Sequence, residues 1–130
     1  MLIKITRAGI LVLTLAMSVV GCSATPTKPG GYQGEWTKPI DVVKETGLNA
    51  LSIHGFEITK NEPTYLEGFR PRTWGFFCTP GGETAGVWLE QVGPSLTKVW
   101  ITTAQSSFDR ACQKDWTGPV LTEMNKSLSQ

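Results

Sequence analysis

The sequence predicts an α+β domain: an antiparallel meander of about five strands, with an N-terminal and a C-terminal helix packed on one face. Three observations lead there. Residues 38–54 and 116–128 carry apolar side chains at three- and four-residue spacing, the signature of an amphipathic helix. Between them lie short runs rich in Val, Ile, Thr, Phe and Trp, separated by Gly, Pro and Asn. Such short turns join successive strands antiparallel, and two amphipathic helices need one sheet face on which to bury their stripes.

In the first helix, Thr37 is a good N-cap and Pro39 sits in the first turn, where its missing N–H costs nothing. Ile40, Val43, Gly47, Ala50, Leu51 and His54 form its stripe, with Gly47 permitting close packing on a sheet and Gly55 placed to end the helix. Phe56-Glu57-Ile58-Thr59-Lys60 alternates as a one-sided strand should, and residues 61–64 form a turn. Residues 65–69 form the second strand, which Arg70-Pro71-Arg72 breaks. Residues 73–79 read as the third, with Trp74, Phe76 and Cys78 on one face and Phe77 on the other. Pro80-Gly81-Gly82-Glu83 is a hairpin loop, and residues 84–92 and 96–103 are strands split by Gly93-Pro94-Ser95. Residues 104–114 are irregular, and the last helix follows Asp115 as its cap, with Trp116, Val120, Leu121, Met124 and Leu128 inward.

Upstream of the domain the composition changes. Lys4 and Arg7 precede 13 uncharged, mostly aliphatic residues, 8–20. A basic start and a short apolar run are the pattern of a secretory signal, and the run is shorter than the roughly 20 residues a membrane-spanning helix needs. Residues 23–35, SATPTKPGGYQGE, are rich in Gly, Pro, Ser and Thr, and read as a mobile tether in which Tyr32 is the one ring able to dock. The expected organisation is therefore a signal over 1–21, a modified cysteine with a flexible tether over 22–35, and one domain over 36–130.

Val19-Val20-Gly21-Cys22 resembles the bacterial lipoprotein signal box: aliphatic, any, small, cysteine. The resemblance implies a diacylglyceryl thioether on Cys22, cleavage before it, and acylation of the new amino group. Several acyl chains anchor stably where one does not. Serine at position 23 implies, by that family's sorting rule, attachment to the outer membrane with the domain facing the periplasm; inner-membrane anchoring and surface exposure stay open as alternatives. Residues 43–56, VKETGLNALSIHGF, the run Thr97-Lys98-Val99-Trp100-Ile101-Thr102-Thr103, and the stretch from Gln113-Lys114-Asp115-Trp116 onward are similar to the helix and strand segments of small bacterial lipoproteins of unknown function with a helix–sheet–helix domain. That group brings no catalytic motif to carry over.

Removing residues 1–21 from 130 leaves 109, enough for one modest core. Loss of Lys4 and Arg7 turns the formal charge from +1 to −1, which argues against a nucleic-acid partner. With Cys22 acylated, Cys78 and Cys112 are an even pair in an oxidising compartment and are expected to form a structural disulfide. It would close a loop spanning 34 residues, contributing about 3–4 kcal/mol by the chain-entropy model.

Chemistry-bearing residues are scattered. His54 is the single histidine, at the end of a helix, and reads as a capping or packing residue. A Ser–His–Asp set from Ser52 or Ser106, His54 and Asp41 or Asp109 lacks a nucleophile-elbow pattern. Glu57 and Glu67 read as solvent-facing strand residues, and Gly81-Gly82 lacks the Lys-Ser/Thr of a phosphate loop. No metal or cofactor is expected. The five tryptophans are the stronger signal. If Val87, Leu89, Val99 and Ile101 face the helices, Trp88 and Trp100 face away, forming an apolar binding patch with Phe77 beside it and Arg70 and Arg72 at its border. The leading expectation is an envelope lipoprotein acting as a non-enzymatic accessory or protein-interaction module, held by membrane lipid through acylated Cys22. The alternatives are a binder of peptidoglycan or another envelope glycan, which would stack sugars on exposed tryptophans, and an enzyme of unrecognised type.

Overall fold

The structure is a computed structural model that describes residues 24–71, 82–104 and 114–130. In chain order the elements are β1 (Gly34–Trp36), α1 (Ile40–Ile53), β2 (Glu57–Asn61), β3 (Tyr65–Pro71), β4 (Gly82–Gly93), β5 (Leu96–Ala104) and α2 (Thr117–Leu128). The strands form one antiparallel sheet in the order β1-β5-β4-β3-β2. The α+β meander with two helices on one face is thus the observed fold, and among the described residues its fifth strand is β1. Residues 73–79 lie outside the described residues, and β1, drawn from the stretch read as tether and domain start, pairs with β5.

Alternation decides which side chains meet the helices. Leu66 on β3, Ala85, Val87 and Leu89 on β4, and Val99 and Ile101 on β5 point to one face and are buried there. Val43, Ala50 and Leu51 of α1 and Val120, Met124 and Leu128 of α2 close over them in a single core. Gly47 lies on Leu66 and Met124, as its place in the stripe suggested. At the end of α1, Gly55 adopts φ of 82°, a left-handed conformation that L side chains resist, so the chain leaves the helix there. The N-terminal caps fall later than expected. Pro39, not Thr37, is the N-cap residue of α1, and Trp116 that of α2. Asp115 still serves the helix start, its carboxylate accepting the Thr117 N–H at 2.9 Å.

Two strand ends differ from the sequence expectation. β3 continues through Arg70 to Pro71, paired with Glu83 and Gly82 of β4; the β2 pairing stops at Phe69, so among the described residues Pro71 lies on an edge, where a proline is tolerated. Gly82 and Glu83, expected in a hairpin loop, instead pair with Pro71 and Arg70 at the start of β4. β2 is the outer strand and all five of its residues are exposed. Ile58 therefore has a weaker place in the core than its alternation with Glu57 and Thr59 suggested. At the opposite edge Trp36 ties β1 to the second helix, its indole N–H donating to Asn125 Oδ1 at 3.0 Å.

Candidate binding surface

The face of the sheet away from the helices carries Trp88 and Trp100 directly opposite each other across β4 and β5. Tyr65 stands opposite Trp88 on β3, with ring centroids 4.9 Å apart. Together they make an aromatic track across three strands. The outward direction of both tryptophans follows from the parity of Val87, Leu89, Val99 and Ile101, as expected.

The track is not open, which corrects the expected exposed patch. Residues 24–33, read as a mobile tether, are docked on it as a strap. Ala24 and Thr25 lie beside β2 and β3, Pro26 is buried over β4, and Lys28 places its ammonium 3.8 Å from the centroid of Trp100. Tyr32 meets Trp100 edge-on at 6.3 Å between centroids, and Lys98 sits over the Tyr32 ring at 4.6 Å. Gln33 then locks the chain to β5: its N–H donates to Val99 O at 3.0 Å, and its side-chain carbonyl accepts the Ile101 N–H at 2.8 Å. Trp100 is left only 9% exposed.

Gly86 makes this crossing feasible. A Cβ there would lie 2.8 Å from the Trp88 ring and 2.9 Å from Pro26 Cβ, so the bare backbone is the seat of the proline. Prolines suit a segment that crosses strands, since they have no N–H to leave unpaired.

Beside the upstream end of the strap is a groove of about 430 Å³ lined by Ala24, Thr25, Thr59, Lys60, Glu67, Phe69 and Thr84. Glu67, expected to be merely solvent-facing, organises its floor. Its carboxylate accepts from Thr59 Oγ1 at 3.1 Å and from the Tyr65 hydroxyl at 2.6 Å, and pairs with Lys60 at 3.7 Å. Burial, then the bond and charge of Glu67, raise the Tyr65 phenol well above its ordinary value, so it stays a neutral donor.

Arg70 belongs elsewhere. It shares the helix-facing parity of Leu66 and Gly68, donates from Nε to His54 O at 2.9 Å, and stacks its guanidinium over Trp116 at 4.6 Å. It therefore does not border the Trp88–Trp100 pair. His54 packs on the same indole and its Nε2 bonds Pro119 O at 3.1 Å, while Phe56 meets that ring edge-on. Sequence reading missed Glu83, which is buried on this side and accepts Lys114 N–H at 3.1 Å. Its sole signal was its parity with Ala85 and Val87. Phe77, Arg72, Cys22, Cys78, Cys112, Ser106 and Asp109 lie outside the described residues.

No protein-family model matches the chain, and no curated protein is similar to it.

Proposed function

We propose that this chain is a lipid-anchored envelope lipoprotein that works as a non-enzymatic binding module, recognising a partner with the outer face of its sheet. The observation that carries the reading is the aromatic track Tyr65–Trp88–Trp100. It spans three strands, already holds a peptide segment, and opens at one end into the groove floored by Glu67. The face combines rings for contact area with a fixed set of hydroxyl, carboxylate and ammonium groups, the composition of a recognition surface.

The signal box at residues 19–22 supports the anchor, with acylated Cys22 holding the protein to the outer membrane and the domain in the periplasm. The docked strap changes how that anchor acts. Cys22 is two residues from Ala24, a span of at most about 7 Å. The lipid then holds the β2–β3 corner close to the leaflet instead of paying out a long tether.

Mass spectrometry of the membrane-extracted protein tests the anchor. The expected product begins at a triacylated Cys22; a chain that still begins at Met1 with every thiol free overturns it. For the module, the double variant Trp88→Ala, Trp100→Ala is expected to lose its co-purifying envelope partner while keeping its far-UV circular dichroism. An unchanged partner set removes the sheet face from the reading, and retention on purified sacculi instead would point to a glycan.

A further inference from the structure

We infer that the aromatic track is a receptor for an extended, proline-spaced peptide carrying a basic residue, and that residues 24–33 occupy it in cis as an autoinhibitory strap. The inference rests on the binding-module reading and names its ligand class.

The seated segment is itself the argument. It contains Pro26-Thr27-Lys28-Pro29, two prolines three positions apart with a lysine between them. Pro26 fills the seat over Gly86 against Trp88, and Lys28 covers the Trp100 ring. Aromatic-lined surfaces bind such chains because proline fixes φ and lowers the entropy lost on docking. Trp88 and Trp100 stand in register on neighbouring strands, so a chain crossing the sheet meets one and then the other.

The strap is built to leave. Among the described residues, no hydrogen bond joins residues 24–32 to the sheet; ring and packing contacts hold them. The locks begin at Gln33, followed by the three β1 pairs with β5. Between strap and lock lie Gly30 and Gly31, both exposed, where an added Cβ would meet nothing within 4 Å. Rotation at this pair can lift residues 24–29, freeing Trp88 and the face of Trp100 that Lys28 covers, while Tyr32 stays at the Trp100 edge and the sheet is undisturbed. The groove at the upstream end lies next to the track and adds the polar groups of Thr59, Lys60 and Glu67 to the surface a peptide meets.

The test uses the mature lipidated chain in detergent micelles and a fluorescein-labelled peptide of residues 23–34. In the wild type the attached strap competes at roughly millimolar effective concentration. The strap variant Lys28→Ser, Tyr32→Ser is expected to bind the peptide at least about tenfold more tightly than wild type, and adding Trp100→Ala should abolish binding. In ¹⁵N-labelled wild type, excess unlabelled peptide should move the Thr27 and Lys28 amide signals toward random-coil positions, a readout that needs no variant. Equal affinity for wild type and the strap variant, or strap signals that do not move, overturns the inference. Concentration-dependent dimers in which straps are exchanged overturn the cis arrangement. If the strap variant retains its envelope partner or binds sacculi but ignores the peptide, the ligand class falls and the binding-module reading stands.

Discussion

Replacing Gly86 with alanine puts a methyl group where Pro26 and the rim of the Trp88 ring already approach, at 2.9 and 2.8 Å. No side chain keeps such distances, so one neighbour must move. Trp88 is held by the adjacent Tyr65 ring, whereas Pro26 belongs to residues 24–32, for which no hydrogen bond to the sheet is found among the described residues, and it is the part that yields. Displacing the pyrrolidine exposes about three methylenes at roughly 0.8 kcal/mol each. With part of that surface re-covered, the loss is about 1–2 kcal/mol, which raises the undocked fraction of the strap about 5- to 30-fold. The sheet itself should not suffer, because alanine in a strand is favoured over glycine by about 0.5–1 kcal/mol. Limited proteolysis with a broad-specificity protease, its cuts mapped by mass spectrometry, reads the undocked fraction while opening is fast relative to cleavage. Cleavage within residues 24–32 should accelerate by that factor while Tm stays within about 5 °C of wild type. Unaltered cleavage, or a fall in Tm of more than about 8 °C, would refute the reasoning, the latter by showing that the conflict is absorbed in the body of the sheet.

Leu66 is fully buried under α1, and Leu66→Ala should cost about 2–5 kcal/mol in denaturant unfolding; less than 1 kcal/mol would mean that α1 does not rest on it. Because the Tyr65 pKa is raised in the folded state, the folded protein holds that proton more tightly than the unfolded chain. Its contribution is intact below the unfolded value near 10 and is lost as pH rises beyond it; Tyr65→Phe should flatten that alkaline decline in thermal scans. Asp115 behaves oppositely: hydrogen bonding, chiefly from the Thr117 N–H, lowers its pKa against a smaller opposing effect of burial. Its contribution is present above the unfolded value near 3.9 and is lost as pH falls through the lower folded value, so Asp115→Asn should weaken the acid limb of the stability profile. An unchanged acid limb would show that this carboxylate does not stabilise the start of α2.

The two helices and the four strands from β2 to β5 were legible because each declares itself locally, by a three- or four-residue stripe or by alternation. The same alternation gave the outward direction of Trp88 and Trp100. What covers them was not legible, since Pro26 meets Gly86 across 60 positions of chain, and neither residue carries a local sign of the other. A Pro-x-x-Pro segment upstream of unpaired outward tryptophans was the available hint, and its polar composition masked it. β1 was missed for a related reason: three residues, Gly34-Glu35-Trp36, are too few to show a period, and their strand character comes from pairing with β5. Arg70 reads as bordering the outer face only if Pro71 ends the strand; the ladder instead carries Arg70 onward to face Glu83 on the helix side.

The pairing of Gly34 with Val99 bears on how the molecule matures. A polypeptide made amino end first delivers β1 well before its mate, which follows 65 positions later. That edge of the sheet must wait, unsheltered, until nearly the whole domain has followed. Any helper that shields nascent segments would find a target in those first-made residues.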